Sequence, residues 1–226
     1  MVEDQRKRYV YCSGPLFCPE EIGGMSAIAA VLEEAGYGTF LPHRDGLDAL
    51  LMRFVNSPLN VDLLGSRRLI DRAIFALDVY QIVERCELFV LNMNGRVPDE
   101  GAVAETAIAF AVGKPIVIYK NDVRSAFKGG DNSMITGLSG SSKVSDIKRI
   151  PAELSRAAKS VEALGKTVYA GESMPPVMWK TVRLGRAIWN AFCRVRSEGS
   201  GGPASDLIDE ITRLCKEHPA LGNSGG

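Results

Sequence analysis

Histidine is scarce, with only His43 and His218 in 226 residues, and tryptophan occurs twice. The five cysteines (Cys12, Cys18, Cys86, Cys193 and Cys215) form no CxxC pair. Two histidines and scattered thiols exclude a zinc constellation of ordinary spacing, and they read as reduced, cytosolic cysteines. Net charge is missing too: Lys plus Arg and Asp plus Glu are both 27, so the formal charge is zero. That removes the bulk charge which marks a nucleic-acid or anionic-membrane partner. No run approaches the roughly 18 apolar residues of a membrane span, and no apolar leader follows the charged residues Glu3, Asp4, Arg6, Lys7 and Arg8. The chain also has no internal repeat. The expectation is a cytoplasmic protein with no metal site, no nucleic acid and no membrane among its partners.

What is present is ordinary globular material, 46% hydrophobic and 24% charged, enough for one substantial core or a core with an appendage. Its most legible stretch is residues 86–120, CELFVLNMNGRVPDEGAVAETAIAFAVGKPIVIYK. Two short apolar runs, 88–93 and 116–119, flank a turn-rich loop and an alanine-rich segment, which predicts strand, helix, strand. Pro98, Asp99 and Glu100 open the helix, proline being tolerated in a first turn and acids suiting the positive end of the dipole. Gly113-Lys114-Pro115 stops it. In a parallel sheet of such units, ligands bind beyond the carboxyl ends of the strands, so residues 92–105 face a site that includes Asp99 and Glu105.

Further strands are predicted at 8–12 and 39–41, and a short one at 165–169. Helices are predicted from about Pro19 to Gly36, over 67–85, over 150–164, over 176–196 and over 206–216. His43, Arg44, Asp45 and Asp48 form a polar turn at a strand's carboxyl end and so also face the site. Residues 49–64 read as a flap, 137–142 as a flexible join and 197–203 as linker. The sum is an α/β chain: a flavodoxin-like, doubly wound parallel sheet of about five strands with a helical C-terminal extension. The expected divisions are a catalytic domain at 8–138, a helical extension packed on the core at 139–196, and a partly disordered tail at 197–226.

YVYCSGPLF, the spaced Asp78, PDEGAVAE, AVGKPIVIYK and GGDNSM occur here in the order and at separations that resemble the nucleoside 2-deoxyribosyltransferases. The resemblance spans about residues 9–134, and its most specific part is Asp99, Gly101 and Glu105 leading into Gly113-Lys114-Pro115. It implies that Glu105 is the nucleophile that takes the deoxyribosyl group. It also implies that Asp99 and Asp78 flank base and sugar, that Tyr11 helps to hold the nucleophile, and that Asn132 reaches the sugar's 5′-hydroxyl in a neighbouring subunit. The substrates implied are a deoxynucleoside and a free nucleobase, handled by a homo-oligomer without metal or organic cofactor.

These residue types suit that chemistry. Cleaving an N-glycosidic bond builds oxocarbenium character, which a carboxylate beneath the anomeric carbon can capture covalently. A second carboxyl group, Asp99 or Asp78, can protonate the departing base. Tyr11 can donate a hydrogen bond to the nucleophile and release it during attack. Gly14, Pro15, Leu16 and Phe17 form an apolar loop that withholds water, and Pro15 offers no amide to a phosphate. His43, Arg44 and Asp45 are candidates for the base edge. Asp99 is equally placed to be only an N-terminal helix acid, and Asn132 to shape a turn. Two other functions stay open: hydrolysis of deoxynucleoside 5′-monophosphates, for which Ser13 and Arg44 speak, and a non-catalytic nucleotide-sensing domain.

Overall fold

The computed structural model describes residues 7–47, 63–124, 130–140, 143–165, 173–197 and 204–218. Of the expected flap at 49–64 only residues 63–64 are described, as the start of a helix, and of the expected strand at 165–169 only residue 165; the rest of both lies outside the described residues. The chain divides into two compact units, one of Met1–Asp45 with Arg85–Val168, the other of Gly46–Glu84 with Tyr169–Gly226.

The first unit is built on β1 (Tyr9–Ser13), β2 (Gly38–Phe40), β3 (Leu88–Asn92), β4 (Ile116–Tyr119) and β5 (Lys143–Val144). They form one sheet in the order β2-β1-β3-β4-β5, with all four pairings parallel. This is the flavodoxin-like order, and the direction of winding reverses between β1 and β3, where such folds hold their ligands. The apolar runs LFVLN and IVIY are buried at every position, as strands covered on both faces must be.

Alternation along the strands sorts the side chains. Val10, Cys12, Leu88, Val90, Val117 and Tyr119 pack with Met25, Ile28, Ala29 and Leu32 of α1 (Pro19–Glu34) and Ile150, Leu154 and Ala158 of a later helix, Ile150–Ala163. The alternate positions carry an aromatic row. Tyr11 is in register with Phe40 and Phe89, and its ring stacks on both, at 5.5 and 5.4 Å between centroids. A four-residue α2 (Pro42–Asp45) follows β2, where the sequence reads as a turn. The fifth strand is Lys143–Val144, in a stretch that offers no apolar run.

The second unit contains α3 (Leu63–Tyr80), which passes into a π-helical turn at Gln81–Arg85 on the unit boundary. Residues 100–111 and 133–136 supply α4 (Glu100–Ala111) and α5 (Ser133–Thr136) to the first unit, and Ile150–Ala163 is α6. In the second unit α3 meets α7 (Pro176–Ser197) and α8 (Ala204–Glu217) around Ala73, Leu77, Leu184, Ile188, Phe192, Leu207 and Ile211. Gly185 makes the close approach possible, because a Cβ there would overlap the carbonyl oxygen of Ala76. Arg72 donates to the carbonyls of Cys215 and His218, closing the carboxyl end of α8. No helix of the described residues is long and apolar enough to cross a membrane.

Candidate active site

Glu105 lies midway along α4, whose start is fixed by Asp99. The Asp99 carboxylate accepts from the Ala102 amide at 2.7 Å, the N-cap bond that an acid before a helix makes. Ala102, Thr106 and Ala109 are the buried positions of α4, small residues that let the helix lie close to the sheet. Glu105 is thereby brought against the carboxyl end of β1. Its Oε1 accepts from the Tyr11 hydroxyl at 2.8 Å and its Oε2 from the Ser13 hydroxyl at 2.5 Å. Both donors are buried, Tyr11 at 0% and Ser13 at 1% exposure. Tyr11 and Ser13 share a face because strand side chains repeat every second residue. Two hydroxyl donors on one carboxylate fix its rotamer, which a positioned nucleophile requires.

The loop after β1 is tightly set. A Cβ on Gly14 would lie 2.6 Å from Met25 Sδ and 2.7 Å from Asn92 Cβ, so only glycine allows this loop against the end of β3. Pro15 is buried, Leu16 packs on the core, and Phe17 is 84% exposed. The amides of Phe17 and Cys18 both donate to the Glu21 carboxylate, at 2.7 and 3.2 Å. An acid of the chain's own thus occupies the amides that open α1. On the β3 side, the Asn94 side-chain carbonyl accepts from the amides of Asn121 and Asp122, and Asp122 accepts from that of Gly95, joining the loops after β3 and β4. Arg124 holds Asp122 far below the usual carboxylate range.

The other sequence-predicted residues stand in several places. Gly101 is exposed on the first turn of α4, where a Cβ would come within 3.2 Å of Asp99 Oδ2. Arg44 bonds Glu33, Thr39 and Asp45, and Asp45 also accepts from the Leu41 amide, so this pair ties α2 to α1 and β2. His43 is half-buried, with Nδ1 lacking a hydrogen-bond partner among the described residues; burial, then neighbouring Arg44, lowers its pKa. Asn132 caps α5 by accepting from the Met134 amide at 2.9 Å. Asp78 is half-buried on α3, in the second unit. Beside Asn132, Asp131 is buried between Lys120 and Lys143.

Of the predicted set, the structure joins Tyr11 to Glu105, and it adds Ser13, which the sequence reading offered only to a phosphate. Its signal was its place two residues after Tyr11. Among the described residues no three His, Cys, Asp or Glu side chains gather as metal ligands would. A cavity of about 750 Å³ lies elsewhere in the first unit, between α6 and the β4–β5 edge; of its cations Lys143, Arg149 and Arg156 are paired with acids and Lys114 donates to the Cys86 carbonyl.

Fold and site define an α/β protein of flavodoxin-like winding that presents a hydroxyl-held glutamate at the switch point of its sheet. The family model described as Nucleoside 2-deoxyribosyltransferase matches residues 10–170, and the chain belongs to that family. No curated protein matches the chain. Among solved structures, a conserved protein from Enterococcus faecalis V583 is similar at 17% identity and a TM-score of 0.44, over 67% of this chain and 99% of that one.

Proposed function

We propose that the protein transfers 2-deoxyribose between nucleobases through a covalent glycosyl intermediate on Glu105. The observation that carries the reading is the carboxylate of Glu105 held through both oxygens at the carboxyl end of β1. The glutamate captures the anomeric carbon as the base leaves. Asp99 delivers the proton and takes one back from the incoming base. Asp99 keeps an oxygen for this, since only Oδ2 is bonded among the described residues. Phe17, exposed at the end of the β1 loop, forms an apolar wall against the base. Asn132 serves a neighbouring copy's site in a homo-oligomer, with Met134 exposed beside it.

The same reading takes nucleosides with a free 5′-hydroxyl in preference to 5′-monophosphates. Glu21 already fills the amides of Phe17 and Cys18, and Pro15 contributes none, so the start of α1 repels a phosphate. The test offers 2′-deoxynucleosides and their 5′-monophosphates in parallel and follows base release by chromatography. Faster release from the nucleoside is expected. Turnover of the monophosphate far above that of the nucleoside overturns the transferase reading in favour of a nucleotide hydrolase.

A further inference from the structure

The two hydroxyls that hold Glu105 differ in how they can respond to chemistry. Tyr11 has no exposure and its ring lies between Phe40 and Phe89, nearly parallel to the latter at 8°. Close packing of this kind leaves the ring one position. Ser13 ends its strand with a hydroxyl on a single rotatable bond, 2.5 Å from Oε2. An oxygen that becomes part of an ester link loses most of its strength as an acceptor. One of the two bonds therefore has to be given up when Glu105 is glycosylated; serine can swing its whole hydroxyl away without moving the core, whereas the tyrosine oxygen stays where its packed ring holds it.

We propose that Oε2 is the attacking oxygen, released by rotation of Ser13, while Tyr11 keeps its bond to Oε1 throughout. This rests on the transferase reading. In the forward step the Oε2–C1′ bond forms as the C1′–N bond breaks. The bonding pair leaves with the base, which receives a proton from the carboxyl group of Asp99, and Ser13 retains its own proton. Oε1 becomes the carbonyl oxygen of the ester. In the return step the acceptor base attacks C1′, the C1′–Oε2 pair returns to the carboxylate, and the acceptor's proton passes to the same acid. Charge returns to the carboxylate in that second step, so the Tyr11 bond to Oε1 favours breakdown of the intermediate. Ser13 is a positioning residue and Tyr11 controls the lifetime of the ester.

Two variants separate these roles. Ser13→Ala is expected to release the first equivalent of base within about threefold of the parent rate, with the acid limb of the pH–rate profile moved to higher pH because a donor to the carboxylate is gone. Tyr11→Phe is expected to give the same first burst and then stall. The glycosylated protein accumulates in its mass spectrum, and steady transfer falls about 10- to 100-fold, the value of one hydrogen bond to a charged group. Loss of the burst in Ser13→Ala with unhindered turnover in Tyr11→Phe overturns the assignment. A ¹³C NMR titration of the Glu105 carboxyl needs no turnover. An unmoved midpoint in Ser13→Ala, in a protein whose parent form releases base, sinks this inference alone. A midpoint that moves, in a parent that releases no base, sinks the transferase reading and the assignment of the oxygens with it.

Discussion

Replacing Gly14 by alanine probes the junction on which the site depends. The added Cβ would stand 2.6 Å from Met25 Sδ and 2.7 Å from Asn92 Cβ, where ordinary contact begins near 3.4 Å. The sulfur sits at the flexible part of a long side chain and can swing aside. Asn92 Cβ cannot, because it hangs on β3, which is paired to β1 on one side and β4 on the other. About 0.7 Å must therefore be found by displacing the β1 loop, an overpacking cost of about 1–3 kcal/mol. Gly23 supplies the control. It lies inside α1 with nothing within 4 Å of its Cβ position, so alanine there is expected to gain about 0.5–1 kcal/mol from helix propensity and reduced chain entropy. At about 2–4 °C per kcal/mol for a chain of this size, Gly14→Ala melts about 2–12 °C below the parent and Gly23→Ala a few degrees above it. Differential scanning calorimetry measures both. Because Ser13 is the adjacent residue, Gly14→Ala also loses base exchange at temperatures where it is fully folded. A Gly14→Ala protein as stable and as active as Gly23→Ala would refute the packing argument.

Asp99→Asn keeps an N-cap acceptor and Asp99→Ala does not, so alanine costs about 1 kcal/mol of stability and asparagine only a few tenths by urea titration. Both lose the acid, and base release falls in both to a similar degree. In the Lys120–Asp131–Lys143 cluster, burial raises the pKa of Asp131 but the two lysines outweigh it, and the net shift is downward. A depressed carboxyl stabilises the fold above its unfolded pKa and loses that contribution as pH falls through the folded value. Urea midpoints taken from pH 7 to pH 3 should therefore decline on the acid side, less so in Asp131→Ala. That variant is destabilised at neutral pH by about 3 kcal/mol, because Lys120 is left buried without its partner. Gly185→Ala drives a Cβ into the Ala76 carbonyl and is expected to abolish the packing of α7 on α3, seen as lost protection of both helices in hydrogen exchange.

The sheet was legible in the sequence wherever the signal was local and apolar. LFVLN and IVIY announced β3 and β4, and Asp99 before an alanine-rich run announced α4 and its cap. Lys143–Val144 was not legible, because two residues carry no periodicity and the strand exists only through its pairing with β4. The π-helical turn at Gln81–Arg85 was hidden for a related reason, since the composition of such a turn is that of the helix it continues. Arg44 looked available for a ligand because Glu33 lies 11 residues before it, and nothing local in the sequence joins the two. Glu105 was placed at a site by the strand–helix–strand unit and, like Tyr11, took its role from resemblance, and the contact between the two crosses 94 residues. Ser13 was offered only to a phosphate, because the apolar run ends before it, and the register of β1 against β3 shows that the strand still runs there and sets its hydroxyl beside Glu105.

In the proposed reaction Glu105 carries the sugar from one base to the next. Purified protein is incubated with a 2′-deoxynucleoside, then a second free base is added, and peptides spanning residues 100–111 are weighed before and after the addition. A deoxyribosyl adduct on Glu105 is expected, disappearing as a new deoxynucleoside forms, with neither event in Glu105→Ala. Free sugar without exchange, or turnover that survives in Glu105→Ala, would contradict it.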